Sequence, residues 1–226
     1  ASAQQFQGVP PPAPGRSAQP AKPIPGPELL SELRKAGRDD RLAAVVLRIR
    51  PLQIGWGKAQ ELRGAIRWLR EKGKKTLAYL ELPMGANLEY YVATAADEIQ
   101  ISPASAAPLV GLSAEFLFLG GLWEKLGSGF DVVGVGEYKS FAEMLAQREM
   151  SEPHREMAEA LLDSTDDQFV TGIAEGRELG PAQVRRLLGA PPHSPEGLRE
   201  AGLVDAVSQF DEVIAALGDP PVVESE

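Results

Sequence analysis

Residues 43–82 read AAVVLRIRPLQIGWGKAQELRGAIRWLREKGKKTLAYLEL, and the fold class is decided inside them. Ala43 to Ile49 is a short, β-branched, apolar run of the kind that fills a buried parallel strand. Lys58 to Lys72 places Leu62, Ala65, Ile66 and Leu69 on one side of a helix, and Gly73 ends it. Thr76 to Leu82 is a second strand. A strand, a helix of four turns and another strand make a right-handed crossover between parallel neighbours.

The alternation continues outward. Asn87 to Ala95 is expected to be helical, Glu98 to Ser102 extended, Phe116 to Leu126 helical up to Gly127, and Asp131 to Val135 extended. Such alternation predicts an α/β layer architecture. Beyond residue 140 the pattern turns mostly helical. Glu152 to Leu179 reads as one long helix with Met157, Leu161, Leu162, Phe169, Val170 and Ile173 on its apolar side. Pro181 to Leu188 is a short helix, Leu203 to Val207 a last strand and Asp211 to Leu217 a last helix. On the amino side, Pro27 starts a helix carrying Leu29, Leu30 and Leu33, which stops at Gly37.

Three segments follow. Residues 1–27 are rich in proline and alanine and cannot bury enough apolar surface to offset their ordering entropy, so they read as an arm or linker. Residues 28–218 form the folded domain, and residues 219–226 read as an acidic linker or tail. The chain is therefore expected to be a domain of something longer.

Bulk chemistry removes several classes of function. A net charge of −9 leaves nothing to neutralise a run of phosphates, so no nucleic-acid partner is expected. The absence of cysteine excludes thiolate nucleophiles, thiolate metal sites and disulfides. His154 and His193 are too few and too far apart in sequence for a zinc centre, and no cofactor motif occurs. The longest apolar stretch, Gly111 to Trp123, is interrupted by Ser113 and Glu115 and falls short of the ~20 residues a membrane span requires. The first residues, Ala-Ser-Ala-Gln-Gln, have neither the basic nor the apolar region of a signal peptide.

Several motifs in fixed order carry a family resemblance. Tyr90-Tyr91-Val92-Ala93-Thr94-Ala95-Ala96-Asp97-Glu98-Ile99, then Val110-Gly111-Leu112, then Val135-Gly136-Glu137-Tyr138-Lys139-Ser140, then Met150-Ser151, and finally Ala201-Gly202-Leu203-Val204-Asp205 resemble successive segments of the signal peptide peptidase A family. They span roughly residues 40–215. The resemblance implies a crotonase/ClpP-like fold, a stacked β-β-α superhelix with a helical C-terminal part. It also implies a serine peptidase with a Ser/Lys dyad, acting on apolar peptides such as released signal peptides. A bacterial cell-envelope setting, on the periplasmic or extracytoplasmic side of a membrane, and a homo-oligomeric assembly are implied too.

Within that resemblance Lys139 falls on the general base. A serine hydroxyl needs an adjacent base, and a lysine amine serves as one only where burial or a neighbouring cation lowers its pKa. Ser140 is next to it and is expected to support the dyad or to cap the following helix. The nucleophile is missing. Where the single-domain form carries serine followed by two glycines before the tyrosine pair, this chain has Asn87, Leu88 and Glu89. The glycine-rich oxyanion turn expected after the first strand is Pro51-Leu52-Gln53-Ile54-Gly55. Both departures match the first domain of the long tandem form, whose serine comes from a following domain or another chain. Ser102, Ser105 and Ser113 sit in no strained nucleophile elbow and read as turn or cap residues.

Two further readings compete. In one, Lys139 is a relic and the chain is an inactive pseudo-peptidase domain for assembly or substrate capture. In the other, the chain is an acyl-CoA enzyme of the crotonase type, which needs paired backbone donors from glycine-rich turns that are poor here. The apolar residues from Phe116 to Leu122 are expected to pack into the core, with the lining of a peptide groove as the alternative.

Overall fold

The computed structural model describes residues 26–84, 87–106, 109, 111–129 and 141–217. Helix α1 (Gly26–Arg38) leads into strand β1 (Ala44–Ile49), helix α2 (Trp56–Glu71) and strand β2 (Lys75–Leu80). Helix α3 (Asn87–Ala93) and strand β3 (Glu98–Ile101) complete a second crossover. Four helices follow, α4 (Gly120–Lys125), α5 (Phe141–Ala146), α6 (Glu152–Arg177) and α7 (Pro181–Gly189), then α8 (Pro195–Glu200). Strand β4 (Ala206–Val207) and helix α9 (Phe210–Ala216) close the described chain.

The four strands are parallel and lie in the order β1-β2-β3-β4. This is the α/β class that the alternating pattern predicts. A sheet that advances one strand per crossover in a single direction is also the layout that stacked turns require. Strand β2 is buried on both faces, which explains its unbroken apolar sequence. Ala78 and Leu80 face the main core with Ala59, Ile66 and Leu69 of α2 and Phe169 and Ile173 of α6. Leu77 and Tyr79, one residue out of step, face Val213 and Phe210 of α9.

Charged residues hold the layers in register. Arg63, 4% exposed, reaches out of α2 and donates to the Tyr91 carbonyl and the Thr94 hydroxyl at the end of α3, and to the Gly172 carbonyl of α6 at 3.3 Å. Its guanidinium also lies 4.2 Å from the centre of the Tyr91 ring. Burial pushes its pKa down to about 10, and no carboxylate among the described residues pairs with it. Asp97 accepts from the Thr76 N–H and hydroxyl at 2.9 and 2.8 Å and from Arg70 at 2.6 Å. Burial opposes its ionisation, but those donors outweigh it and hold the carboxyl below its ordinary range. Asp205 takes the Ile99 N–H at 2.7 Å and a two-pronged contact from Arg177 at 2.8 and 2.9 Å. Two of the family-like motifs, those containing Asp97 and Asp205, thus carry clamps of the sheet.

Differences from the expected elements have local causes. The segment Phe116–Leu119 is irregular, and the helix predicted over 116–126 is confined to α4. Its backbone is held by other partners: the Leu119 N–H donates to the Met144 carbonyl in α5 at 2.8 Å and the Gly120 N–H to the Gln147 carbonyl just after that helix at 2.9 Å. The last strand shortens to β4, and the turn before it carries the Asp205 clamp. Helices α5 and α8 are too short to show periodicity. The strand expected over 131–135 lies outside the described residues. Among the described residues no helix is long and apolar enough to cross a membrane.

Helix α6 approaches α3 closely because Gly172 and Gly176 face it. A Cβ at Gly172 would overlap the Tyr91 ring, and one at Gly176 would overlap the Thr94 carbonyl oxygen. The second obstacle is backbone and cannot swing aside. Gly176→Ala is therefore expected to cost at least about 2 kcal/mol. A urea-unfolding midpoint no lower than that of the parent protein would contradict this close approach.

Candidate active site

In a parallel sheet the loops after successive strands emerge along one edge, and ligands of α/β proteins bind outside that edge. Here the edge is formed by the segments after Ile49, Leu80 and Ile101. The Glu81 N–H donates to the Ile49 carbonyl at 2.9 Å, and the Ser102 N–H to the Leu80 carbonyl at 2.9 Å, extending the ladders past the strands. The Glu81 side chain sits between two cations, accepting from Arg48 at 2.5 and 2.9 Å and from Arg50 at 2.9 Å. The Arg48 contact, helped by Arg50 against partial burial, holds the Glu81 carboxyl below its ordinary range.

The two degenerate positions singled out in the sequence meet at this edge. Asn87 is the first residue of α3, half-buried, and Glu89 lies in the same turn. Glu89 is 8% exposed, and its Oε1 accepts the backbone N–H of Leu52 at 2.6 Å. Leu52 belongs to the Pro51–Gly55 loop after β1. No cation among the described residues forms an ion pair with Glu89. Among the described residues its side chain thus meets a peptide N–H of the loop after β1 in place of a cation. The loop is fixed from below by aromatic packing: Trp56, next after Gly55, lies 5.4 Å from Tyr91 and 5.7 Å from Phe169 between ring centres. Sequence marked Glu89 as a lost glycine but offered no sign of its contact with Leu52, 37 residues away.

The serines considered as alternative nucleophiles have structural partners or simple exposure. The Ser105 hydroxyl accepts the Leu82 N–H at 2.9 Å and is 3.3 Å from the Leu80 carbonyl, to which it donates. Ser102 Oγ accepts from the Ala104 N–H at 3.3 Å. Ser113 is exposed. Lys139 and Ser140 lie outside the described residues.

The element that follows Ser140 is described in full detail from residue 142. Glu143 of α5 accepts the Ser151 hydroxyl at 2.8 and 2.9 Å, while Ser151 caps α6 through the His154 N–H. His154 is 1% exposed, its Nδ1 is 3.4 Å from Glu143 Oε2, and the Phe116 and Phe118 rings pack on it at 5.0 and 5.8 Å. This arrangement is not a Ser/His/acid triad, since both the serine and the histidine address the carboxylate and not each other. It joins α5, α6 and the Phe116–Leu119 segment. Sequence gave His154 no role; its signal is the placement three residues after the capping Ser151.

Contrary to the core packing expected for Phe116–Leu122, Leu117 is 72% exposed and Leu122 48% exposed. Leu126 and, on α6, Leu161 are exposed as well. Leu117 is turned outward by the irregular backbone, Leu122 and Leu126 lie on the outer side of α4 and at its end, and Leu161, expected on the apolar side of the long helix, faces outward from α6.

Comparison with known proteins places these features. A profile of Peptidase family S49 matches residues 69–221. The serine protease SPPA of Arabidopsis thaliana chloroplasts is 34% identical over 200 residues, covering 88% of this chain and 29% of that protein. Protease 4 of Salmonella typhi is 22% identical over 192 residues, covering 85% of this chain and 30% of its own length. The chain thus spans less than a third of either relative. Among solved structures, a membrane-bound stomatin-specific protease superposes with a TM-score of 0.48 at 12% identity, covering 83% of this chain and 75% of that one.

If Ser105 is a structural residue, Ser105→Ala should cost roughly 1–3 kcal/mol by stranding the Leu82 N–H. Labelling of the complete protein by a serine-directed fluorophosphonate should be unaltered. Lost labelling with unaltered stability would make Ser105 the nucleophile instead.

Proposed function

The chain belongs to Peptidase family S49, and from that premise we propose that it is the lysine-contributing domain of a Ser/Lys-dyad serine endopeptidase. The observation that carries this reading is the state of the sheet edge: Asn87 is where a nucleophile belongs, and the neighbouring Leu52 N–H is taken by Glu89. An amide side chain cannot attack a carbonyl, so the serine comes from a following domain or another chain. The functional unit is residues 28–218, with 1–27 and 219–226 as connecting arms.

In this mechanism the neutral Nζ of Lys139 takes the proton of the partner's serine as its Oγ bonds to the peptide carbonyl carbon. The same proton then passes to the departing amine, and a water activated by Nζ releases the acyl group from serine. Ser140 supports the orientation of Lys139. No metal or redox group is called for by these steps.

The substrates are apolar peptides such as released signal peptides, and the setting is a bacterial membrane surface on its extracytoplasmic side. The exposed leucines Leu117, Leu122 and Leu126 suit contact with the serine-bearing domain of like fold in a homo-oligomer. They precede the Lys139 segment directly in sequence. A pseudo-peptidase reading is favoured by the same Asn87 and Glu89, and it differs in its prediction for Lys139.

Lys139→Ala in the complete protein should lower kcat/KM on an apolar peptide by about 10²–10⁴-fold. Its thermal unfolding should be unshifted. Undiminished activity would remove Lys139 from the chemistry and leave the pseudo-peptidase reading.

A further inference from the structure

We propose that Glu89 is a resident occupant of this domain's own peptide-carbonyl site, a carboxylate oxygen standing where a substrate carbonyl oxygen would otherwise sit. The inference takes its meaning from the half-site reading, but its observations are independent of Lys139.

Three features carry it. First, the Leu52 N–H is a backbone donor in the loop that follows β1, the outermost strand of the described sheet, on the side where the loops after successive strands emerge. Such a donor, left open, binds a carbonyl or oxyanion. Second, Glu89 reaches it at 2.6 Å from the first turn of α3, the turn that also presents Asn87. Third, Glu89 is 8% exposed and has no ion-pair partner among the described residues. Three more-exposed carboxylates at the sheet are met by arginine, Asp97 by Arg70, Asp205 by Arg177 and Glu81 by Arg48, while Glu143 is met by Ser151 and His154. At position 89 a peptide N–H substitutes for the cation.

The consequence is directional. A peptide that reaches this edge finds the donor already used and the space beside it filled by a side chain. Productive binding is thereby left to the serine-bearing partner's edge. The loss of a nucleophile at Asn87 and the filling of the carbonyl site by Glu89 form one device that makes this domain a donor of its lysine and not a competing peptide binder.

Hydrogen exchange at residue resolution on the complete protein tests this. In Glu89→Ala, the Leu52 amide should exchange at least about tenfold faster than in the parent, with the β2 amides of Leu77 to Leu80 unaltered. An acetylated and amidated apolar hexapeptide at millimolar concentration should then slow Leu52 in Glu89→Ala and leave it unchanged in the parent. Unaltered Leu52 exchange in Glu89→Ala overturns the proposal. So does equal slowing by peptide in the parent, or no slowing in the variant. Should Glu89→Ala loosen β2, the readout moves to Glu89→Gln, whose neutral and weaker acceptor must yield Leu52 to the peptide; failure to do so also overturns it. Lys139 takes no part in this measurement. Its failure therefore leaves the dyad reading standing, and an active Lys139→Ala protein would leave the occupancy of Leu52 standing.

Discussion

Arg63 is the side chain on which the placement of everything else depends. Its guanidinium is buried with no carboxylate partner among the described residues and is hydrogen-bonded by carbonyl and hydroxyl oxygens at the end of α3 and in α6. A buried charge of this kind is tolerated when several oriented dipoles face it, and here those dipoles come from two elements, the end of α3 and the middle of α6. The result is rigid: α3 cannot rotate or slide without stranding the charge. Gly172 and Gly176 allow the approach, and the Tyr91 ring covers the guanidinium from one side.

That fixed helix sets the geometry at the sheet edge. Because α3 begins with Asn87 and turns Glu89 inward, the orientation imposed by Arg63 aims a carboxylate at the loop after β1. The Leu52 N–H then has an acceptor within its own domain. Two departures that look unrelated in sequence, glycines replaced near residue 88 and a glycine turn replaced near residue 52, are one contact in space. A glycine at 89 would leave the donor open.

The fold was readable where periodicity is long or one-sided. Helix α6 was visible from its apolar stripe and α2 from Leu62, Ile66 and Leu69, while β2, buried on both faces, betrayed itself by an unbroken apolar run. Phe116–Leu119 misled because apolar composition alone does not say where backbone hydrogen bonds go, and here the Leu119 and Gly120 N–H groups go to the last turn of α5 and the residue after it. Short helices such as α5 and α8 carry too few residues for any period. At the site, residue identity was enough to mark Asn87 as unable to attack a carbonyl. It was not enough to join Glu89 to Leu52, or His154 to Glu143 and the two phenylalanines, because those partners are brought together only by tertiary packing.

The chain belongs to Peptidase family S49. The proposal that it is half of an active centre, giving a lysine to a serine supplied from elsewhere, rests on Asn87 and on the contact between Glu89 and Leu52. The most direct test is to treat the complete, active protein with a fluorophosphonate and map the modified serine by peptide mass spectrometry. The account predicts that the label lies outside residues 1–226 and that Lys139→Ala suppresses it. A label on any serine within residues 1–226 would contradict it.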